Sequence, residues 1–351
     1  YIVMKIIKLK DRLLDILCMR LECWVHKHDP YLTTVVASSF LTVTFIGMLF
    51  LLLFLACKQV YPNEGAVDRQ SADRDSAVVE HYVSPVIPDM MLDPVQRASY
   101  YVNHYWDGYS LSDTSFIRGS ESEQLYANFV DALQYVDVSE SRSAILAMMS
   151  LMETDSVAYA RFCTLGEKYL YNPDSPLRND EYYIPVLEHM LASPLPGETY
   201  KLRAGYHLEQ CLKNRPGMKA ADFSYVTASC TTGSLSRISA DYTLLFFYNP
   251  GCSSCHAYEL TLSGVPSIVE LQEKGSLRVL AIYSEDDESE WLLHASSMPS
   301  GWIVGWNRSG DISRGLYDIR AIPTLYLLDG EKRVLLKDAP LERIIGYLAM
   351  K

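Results

Sequence analysis

The chain is short of basic residues, of cysteines and of repetition. Lysine and arginine number 31 against 43 aspartates and glutamates, a formal net charge of −12 at pH 7. A general nucleic-acid binder needs a basic footprint for the phosphates, so nucleic acid is set aside as a partner. The acidity itself reads as solvated surface rather than as a site. Eight cysteines in 351 residues are too sparse for a disulfide scaffold, so each is read by its position. There is one Cys-x-x-Cys pair and no second. Structural zinc needs about four ligands, and Cys230 and His294 form no recognisable pair, so neither a metal nor another cofactor is expected. No internal repeat or low-complexity tract is apparent. Hydrophobic residues at 49% and charged residues at 21% nevertheless describe a folded chain, long enough for about two domains and an appendage.

One long apolar run is present. From Tyr31 to Ala56 there is no charged residue, enough to span a bilayer as a helix. Soluble helices rarely stay apolar all round for so long. Lys5, Lys8, Lys10, Arg12, Arg20 and Lys27 precede it, while Glu64 and Asp68 follow. The positive-inside rule puts the N-terminus in the cytoplasm and everything after the run outside. The run closes with "LFLAC", a small residue before Cys57, and so resembles the lipobox of bacterial lipoproteins, although Phe54 stands where that pattern usually has Leu. The resemblance implies cleavage before Cys57 and lipid on its thiol and amine. The other reading is an uncleaved signal anchor over 31–56. The upstream segment is long for a signal peptide, and Met19 offers an alternative start. Either way the remainder is expected on the periplasmic side of a membrane, where thiol–disulfide chemistry is permitted. Residues 58–94, polar and acidic, read as a linker.

Residues 95–216 carry helical spacing and few strand signals, an all-α domain. "ESEQLYANFVDALQYV" places Leu125, Phe129, Leu133 and Val136 on one face. "SAILAMMSLM" follows, with Ser139 or Ser141 as N-cap. "VAYARFCTLGEKYLY" is stopped by Asn172-Pro173, and "NDEYYIPVLEHMLAS" and "ETYKLRAGYHLEQCLKN" complete the set. Tyr100, Tyr101, Tyr182 and Tyr183 read as core packing rather than as a binding surface. Cys163 and Cys211 read as free thiols inside helices.

After Pro216 the pattern turns to strands. "DFSYVTASCTTGSLSRI" alternates around Thr232-Gly233, a hairpin signal. "YTLLFFY" and "LRVLAIY" are continuous apolar runs, as expected of strands buried on both faces. "DISRGLYDI" looks helical. "IPTLYLLDGEKRVLL" reads as a hairpin with a tight turn at Asp329-Gly330, and "LERIIGYLAM" as a closing helix. The succession describes an α/β domain, a mixed sheet flanked by helices, over 217–351. The Cys-x-x-Cys sits in "YNPGCSSCH". Asn249-Pro250-Gly251 is turn chemistry, which puts Cys252 at the mouth of a helix and Cys255 one turn inside, on the same face. Unpaired N–H groups and the partial positive charge there favour a thiolate. At an ordinary pKa of about 8.5 only about 3% of a thiol is ionised at pH 7, and a pKa near 7 makes that half. Cys252 is then the nucleophile and Cys255, deeper, the resolving thiol.

A Cys-x-x-Cys at a strand-to-helix turn, followed later by Ile322-Pro323-Thr324 before a hairpin, resembles the thioredoxin fold. The resemblance implies that Pro323 is cis and faces the pair. "KAADFSYVTASCTTGSLSRISADYTLLFFYNPGCSSC" is closest to the membrane-tethered TlpA/ResA-like branch. The whole layout, including a helical part with "EKYLYNPDSPLRN", looks like thioredoxin-like lipoproteins of Gram-negative anaerobes, in which the helical part has no assigned role. One departure is Gly251, where thioredoxins usually have Trp. The resemblance implies a thiol-disulfide oxidoreductase, leaning toward reduction, with client protein thiols and disulfides and a membrane electron donor as partners. Two other readings stay open. "CSSCH" satisfies the c-type haem motif, with His256 as ligand. A tethered scaffold with a vestigial pair is the non-enzymatic alternative. A purely structural Cys252–Cys255 bridge is disfavoured, because it closes too short a loop to stabilise much.

Overall fold

Five helices of the first half begin at an Asp or Asn whose side chain accepts a first-turn N–H: Asp93, Asp113, Asp137, Asp155 and Asn179. Such caps satisfy donors that the helix itself leaves open. The structure, a computed structural model, describes residues 81–351. The apolar run, Cys57 and most of the linker read from the sequence lie outside the described residues. Among the described residues no helix is long and apolar enough to cross a membrane.

The helical part comprises α1 (Pro94–Asn103), α2 (Thr114–Arg118), α3 (Ser120–Ala132), α4 (Val138–Met152), α5 (Ser156–Gly166), α6 (Asp180–Ala192) and α7 (Glu198–Cys211). The cap of α4 is Asp137, not Ser139 or Ser141. Its Oδ1 accepts from Glu140 N at 2.8 Å and from Ser139 Oγ at 2.7 Å. Ser141 is buried inside the helix and donates to Leu133 and Asp137 carbonyls. The core is aromatic: Trp106 meets Phe162 edge-on at 5.2 Å and Phe129 at 5.4 Å. Tyr183 is fully buried, and Tyr101 and Tyr182 pack at the margin of that core, so these tyrosines supply packing area. Within residues 81–93, assigned to the linker by composition, Tyr82 packs against this core, while Val86, Met90 and Leu92 stay exposed. Tyr82 bridges Tyr109, and a side chain on Gly108 would start 2.3 Å from the Val83 carbonyl oxygen. A π turn, Glu167–Tyr171, continues α5 and ends at Asn172.

The second half is a seven-stranded mixed sheet in the order β2-β1-β5-β4-β3-β6-β7. The strands are β1 (Ser224–Thr227), β2 (Thr232–Ser234), β3 (Tyr242–Phe247), β4 (Leu277–Tyr283), β5 (Ile303–Trp306), β6 (Thr324–Asp329) and β7 (Val334–Lys337). Strands β3, β4 and β5 are parallel, and β6 returns antiparallel beside β3. Alternate residues of β3 feed two cores: Leu244 and Phe246 on one face, Leu245 and Phe247 on the other. Each is fully buried, worth about 1.5–3 kcal/mol apiece. Helices α8 (Ser253–Gly264), α9 (Pro266–Glu273), α10 (Glu288–Ala295) and α11 (Leu341–Ala349) complete the domain; residues of all four enter the first of these cores, such as Leu262, Ile268, Trp291 and Ile344.

Local readings shift in three places. The first hairpin turns at residues 228–231, where Cys230 takes a left-handed φ of 59°. Gly233 lies in β2 opposite Tyr225, and a Cβ there would lie 2.4 Å from the Tyr225 ring, so the glycine makes room and does not turn the chain. The second hairpin is not a tight two-residue turn. Lys332 takes the left-handed φ, 66°, and Asp329 Oδ1 accepts from Glu331 N and Arg333 N. "DISRGLYDI" forms only a π turn, Ile312–Leu316, broken at Gly315.

Candidate redox site

The end of β3 sets the site. Pairing of Phe247 with Thr324 carries Pro323, the residue before β6, to the same end of the sheet as the turn after β3. In that turn Gly251 has φ 72°, with nothing within 4 Å of where a Cβ would be. Glycine is required there by backbone conformation, not by crowding.

Cys252 is the N-cap of α8, and its Sγ accepts from Cys255 N at 3.1 Å. The sulfur thus occupies the position that a Ser or Asp oxygen takes in an ordinary cap. A thiolate formed there gains the same N–H and the positive end of the helix. Cys255 is 1% exposed, whereas Cys252 is half-buried. The two are joined as a disulfide, Cα to Cα 5.2 Å. The Ile322–Pro323 bond is cis, and the Ile322 carbonyl oxygen lies 3.9 Å from Cys252 Sγ. The structure thus brings Cys252, Cys255 and Pro323 together. An accessible sulfur at a helix mouth over a buried partner can exchange disulfides.

The remaining candidates lie apart. The side chain of His256 is 69% exposed on α8 and 3.4 Å from Glu259 Oε2. Cys230, exposed, belongs to the turn of the edge hairpin, three places across the sheet from β3. Cys163 and Cys211 are free. Burial pushes the Cys163 thiol up to about 12 and Cys211 up as well. Among the described residues no group of three or more His, Cys, Asp and Glu is placed to hold a metal ion.

The sequence reading missed Arg320, three residues before Pro323, whose side chain is only 8% exposed. Its only local signal is an opposite charge two residues before it, Asp318, next to the apolar stretch that leads into Pro323.

Comparison with known proteins adds the following. Residues 60–214 match a family described only as a domain of unknown function, DUF5106. A crystal structure of a thioredoxin-like protein from Bacteroides caccae is 42% identical, covering 78% of this chain and 99% of that one, with a TM-score of 0.72. A conserved protein of unknown function from Bacteroides fragilis is 56% identical over 38% of this chain and 98% of its own, with a TM-score of 0.38. The C-terminal domain of an uncharacterised Bacteroides fragilis protein is 43% identical over 39% and 98%, again with a TM-score of 0.38. No curated protein matches.

Proposed function

This chain belongs to the thioredoxin-like proteins, and we propose that it is a membrane-tethered, extracytoplasmic thiol-disulfide oxidoreductase that reduces protein disulfides through Cys252 and Cys255. In the reduced protein the Cys252 thiolate attacks one sulfur of a client disulfide. The other client sulfur leaves as a thiolate and takes up a proton. Cys255, once deprotonated, attacks Cys252 Sγ, closing the Cys252–Cys255 disulfide and releasing the client's second thiol. Two electrons have then passed to the client, whose two protons come one from Cys255 and one from solvent. A dithiol donor in the membrane restores the pair by the same exchange run against the Cys252–Cys255 bond. Pro323, with no N–H of its own, borders the approach to Cys252.

The observation that carries this reading is the place of Cys252. Its sulfur caps α8, accepts the Cys255 N–H and stands beside Ile322, over a buried Cys255. Tethering rests on the uncharged run 31–56 and on Cys57, and the reducing direction on the TlpA/ResA-like sequence pattern. The reduction potential of the pair tests direction: near about −270 mV the protein is a reductant, near about −120 mV an oxidant. A protein that exchanges with no disulfide substrate, with or without its cysteines, is instead a scaffold with a vestigial pair.

A further inference from the structure

The segment "YNPDSPLRND", Tyr171 to Asp180, belongs to the helical part but reaches the loop that ends at Pro323. Arg320 is where they meet. Its Nη1 donates to the Tyr171 carbonyl at 3.1 Å, and its Nη2 to Asp180 Oδ1 at 2.5 Å. Nε and Nη2 both donate to Asp318 Oδ2, at 2.8 and 2.6 Å. The guanidinium also lies 3.9 Å over the Tyr171 ring. Asp180, the first residue of α6, is in turn 2.8 Å from Lys337 Nζ. That ammonium donates to the carbonyls of Gln210, Cys211 and Lys213 at the end of α7. Arg178 Nε donates to the Asp338 carbonyl at 2.9 Å and lies 3.4 Å from its carboxylate. Three cations and three carboxylates are therefore packed into one junction, with side chains between 2% and 13% exposed.

Such a cluster is a poor adhesive. Desolvating each ion costs several kcal/mol, and apolar substitutes of like shape often hold as well. What a planar guanidinium fork does supply is direction. Arg320 can serve Tyr171, Asp180 and Asp318 together in only one orientation. Two residues separate it from Pro323, and Ile322 between them carries the carbonyl beside Cys252. The other end of the loop is fixed by Thr324, whose Oγ1 donates to Ala321 O at 2.6 Å. The helical part thus holds the near end of the loop and β6 the far end.

We propose that the helical part is a component of the redox site: Asp180 and Tyr171 hold Arg320, and Arg320 is a positioning residue that sets the proline loop against Cys252. The proposal rests on the thiol-exchange reading and assigns a role to the domain of unknown function. Misplacing reacting groups by about 1 Å costs up to about 100-fold in rate, so a loop freed at one end should bind clients poorly.

The test uses the full chain with Asp180→Asn, which keeps the shape but removes one charge, and with Arg320→Lys, which keeps the charge but loses the fork. Steady-state reduction of a protein disulfide is measured beside backbone hydrogen exchange in 319–322. The expected result is a KM raised about tenfold or more with kcat changed less. Amides of the loop should exchange at least tenfold faster, while those of α8 and the rate of Cys252 alkylation stay as in the parent. A folded variant of either kind with unchanged KM and unchanged loop exchange overturns the proposal. So does uniform loosening of the whole domain, which is the mark of a merely structural role. Should one variant fail to fold, the other decides. A parent protein that reduces no protein disulfide sinks the functional reading itself, whatever the variants do to loop exchange.

Discussion

Asp338 offers a quantitative test of the junction's electrostatics. Burial pushes its carboxyl up to about 6; nearby Arg178 and Arg320 pull it down, and Asp180 and Asp318 push it further up. An unfolded aspartate titrates near 3.9, so the gap corresponds to about 3 kcal/mol of preference for the neutral form in the folded chain. The sign follows from proton binding. The folded state holds this proton more tightly, so the group's favourable share is complete below about pH 4, declines as pH rises, and is gone above about 6. Asp338→Asn is neutral throughout. It also suits the site, since the residue sits at φ 42°, a region that Asn tolerates as well as Asp. At pH 8 the variant should be more stable than the parent by up to about 3 kcal/mol, and the difference should shrink toward zero near pH 4. Urea unfolding across that range measures it, with carboxylates remote from the junction cancelling between the two proteins. A variant less stable at pH 8, or a difference that does not change with pH, would refute the account of the buried cluster.

Further expectations concern the cysteines and the turn before them. Cys252→Ser should abolish disulfide reduction, whereas Cys255→Ser should accumulate mixed disulfides with clients, visible on non-reducing gels; the reverse pattern would exchange the two roles. In the reduced protein below pH 7, mass spectrometry after brief alkylation should find Cys252 modified first. Cys211, buried, and Cys163, partly buried, both with thiol pKa values pushed up, should react far more slowly than Cys252 until denaturant is added. Gly251→Ala forces a side chain into φ 72° and should cost about 1 kcal/mol or more in an unfolding titration, all of it from the local backbone, since no other residue lies within 4 Å of the new Cβ. Cys57→Ser should leave an uncleaved precursor without lipid; identical mobility and no lipid mass on the parent would leave the signal anchor as the tether.

The placement of Cys252 and Cys255 at a helix mouth, the flanking strands and most helices were legible because each rests on a local pattern. An apolar run such as "TLLFF" followed by turn residues and Cys-x-x-Cys needs no distant information. Helices α9 and α10, eight residues each, and β5, four residues with Gly305 in the middle, went unread because they are too short for periodicity to register. Turn types were misplaced where a side chain outranked the glycine: Asp329 organises its loop and Lys332 bends it, while Gly330 does neither. The junction was invisible for a different reason. Arg320 and Asp180 are 140 residues apart in sequence, and each alone looks like an ordinary surface charge.

Lys337, the last residue of β7, closes the end of α7 with three hydrogen bonds to main-chain carbonyls. A helix terminus is usually finished by its own neighbours in sequence; here Leu212 N and Lys213 N do part of this, and a residue more than a hundred positions later does the rest. Recombination that joined this helical part to an unrelated redox domain would leave the α7 carbonyls, Arg178 and Asp180 without these partners, and would strand Lys337 and Arg320 in the domain left behind. The two halves are thus bound to a common inheritance, and positions 171, 178, 180, 318, 320, 337 and 338 should change together or not at all across lineages.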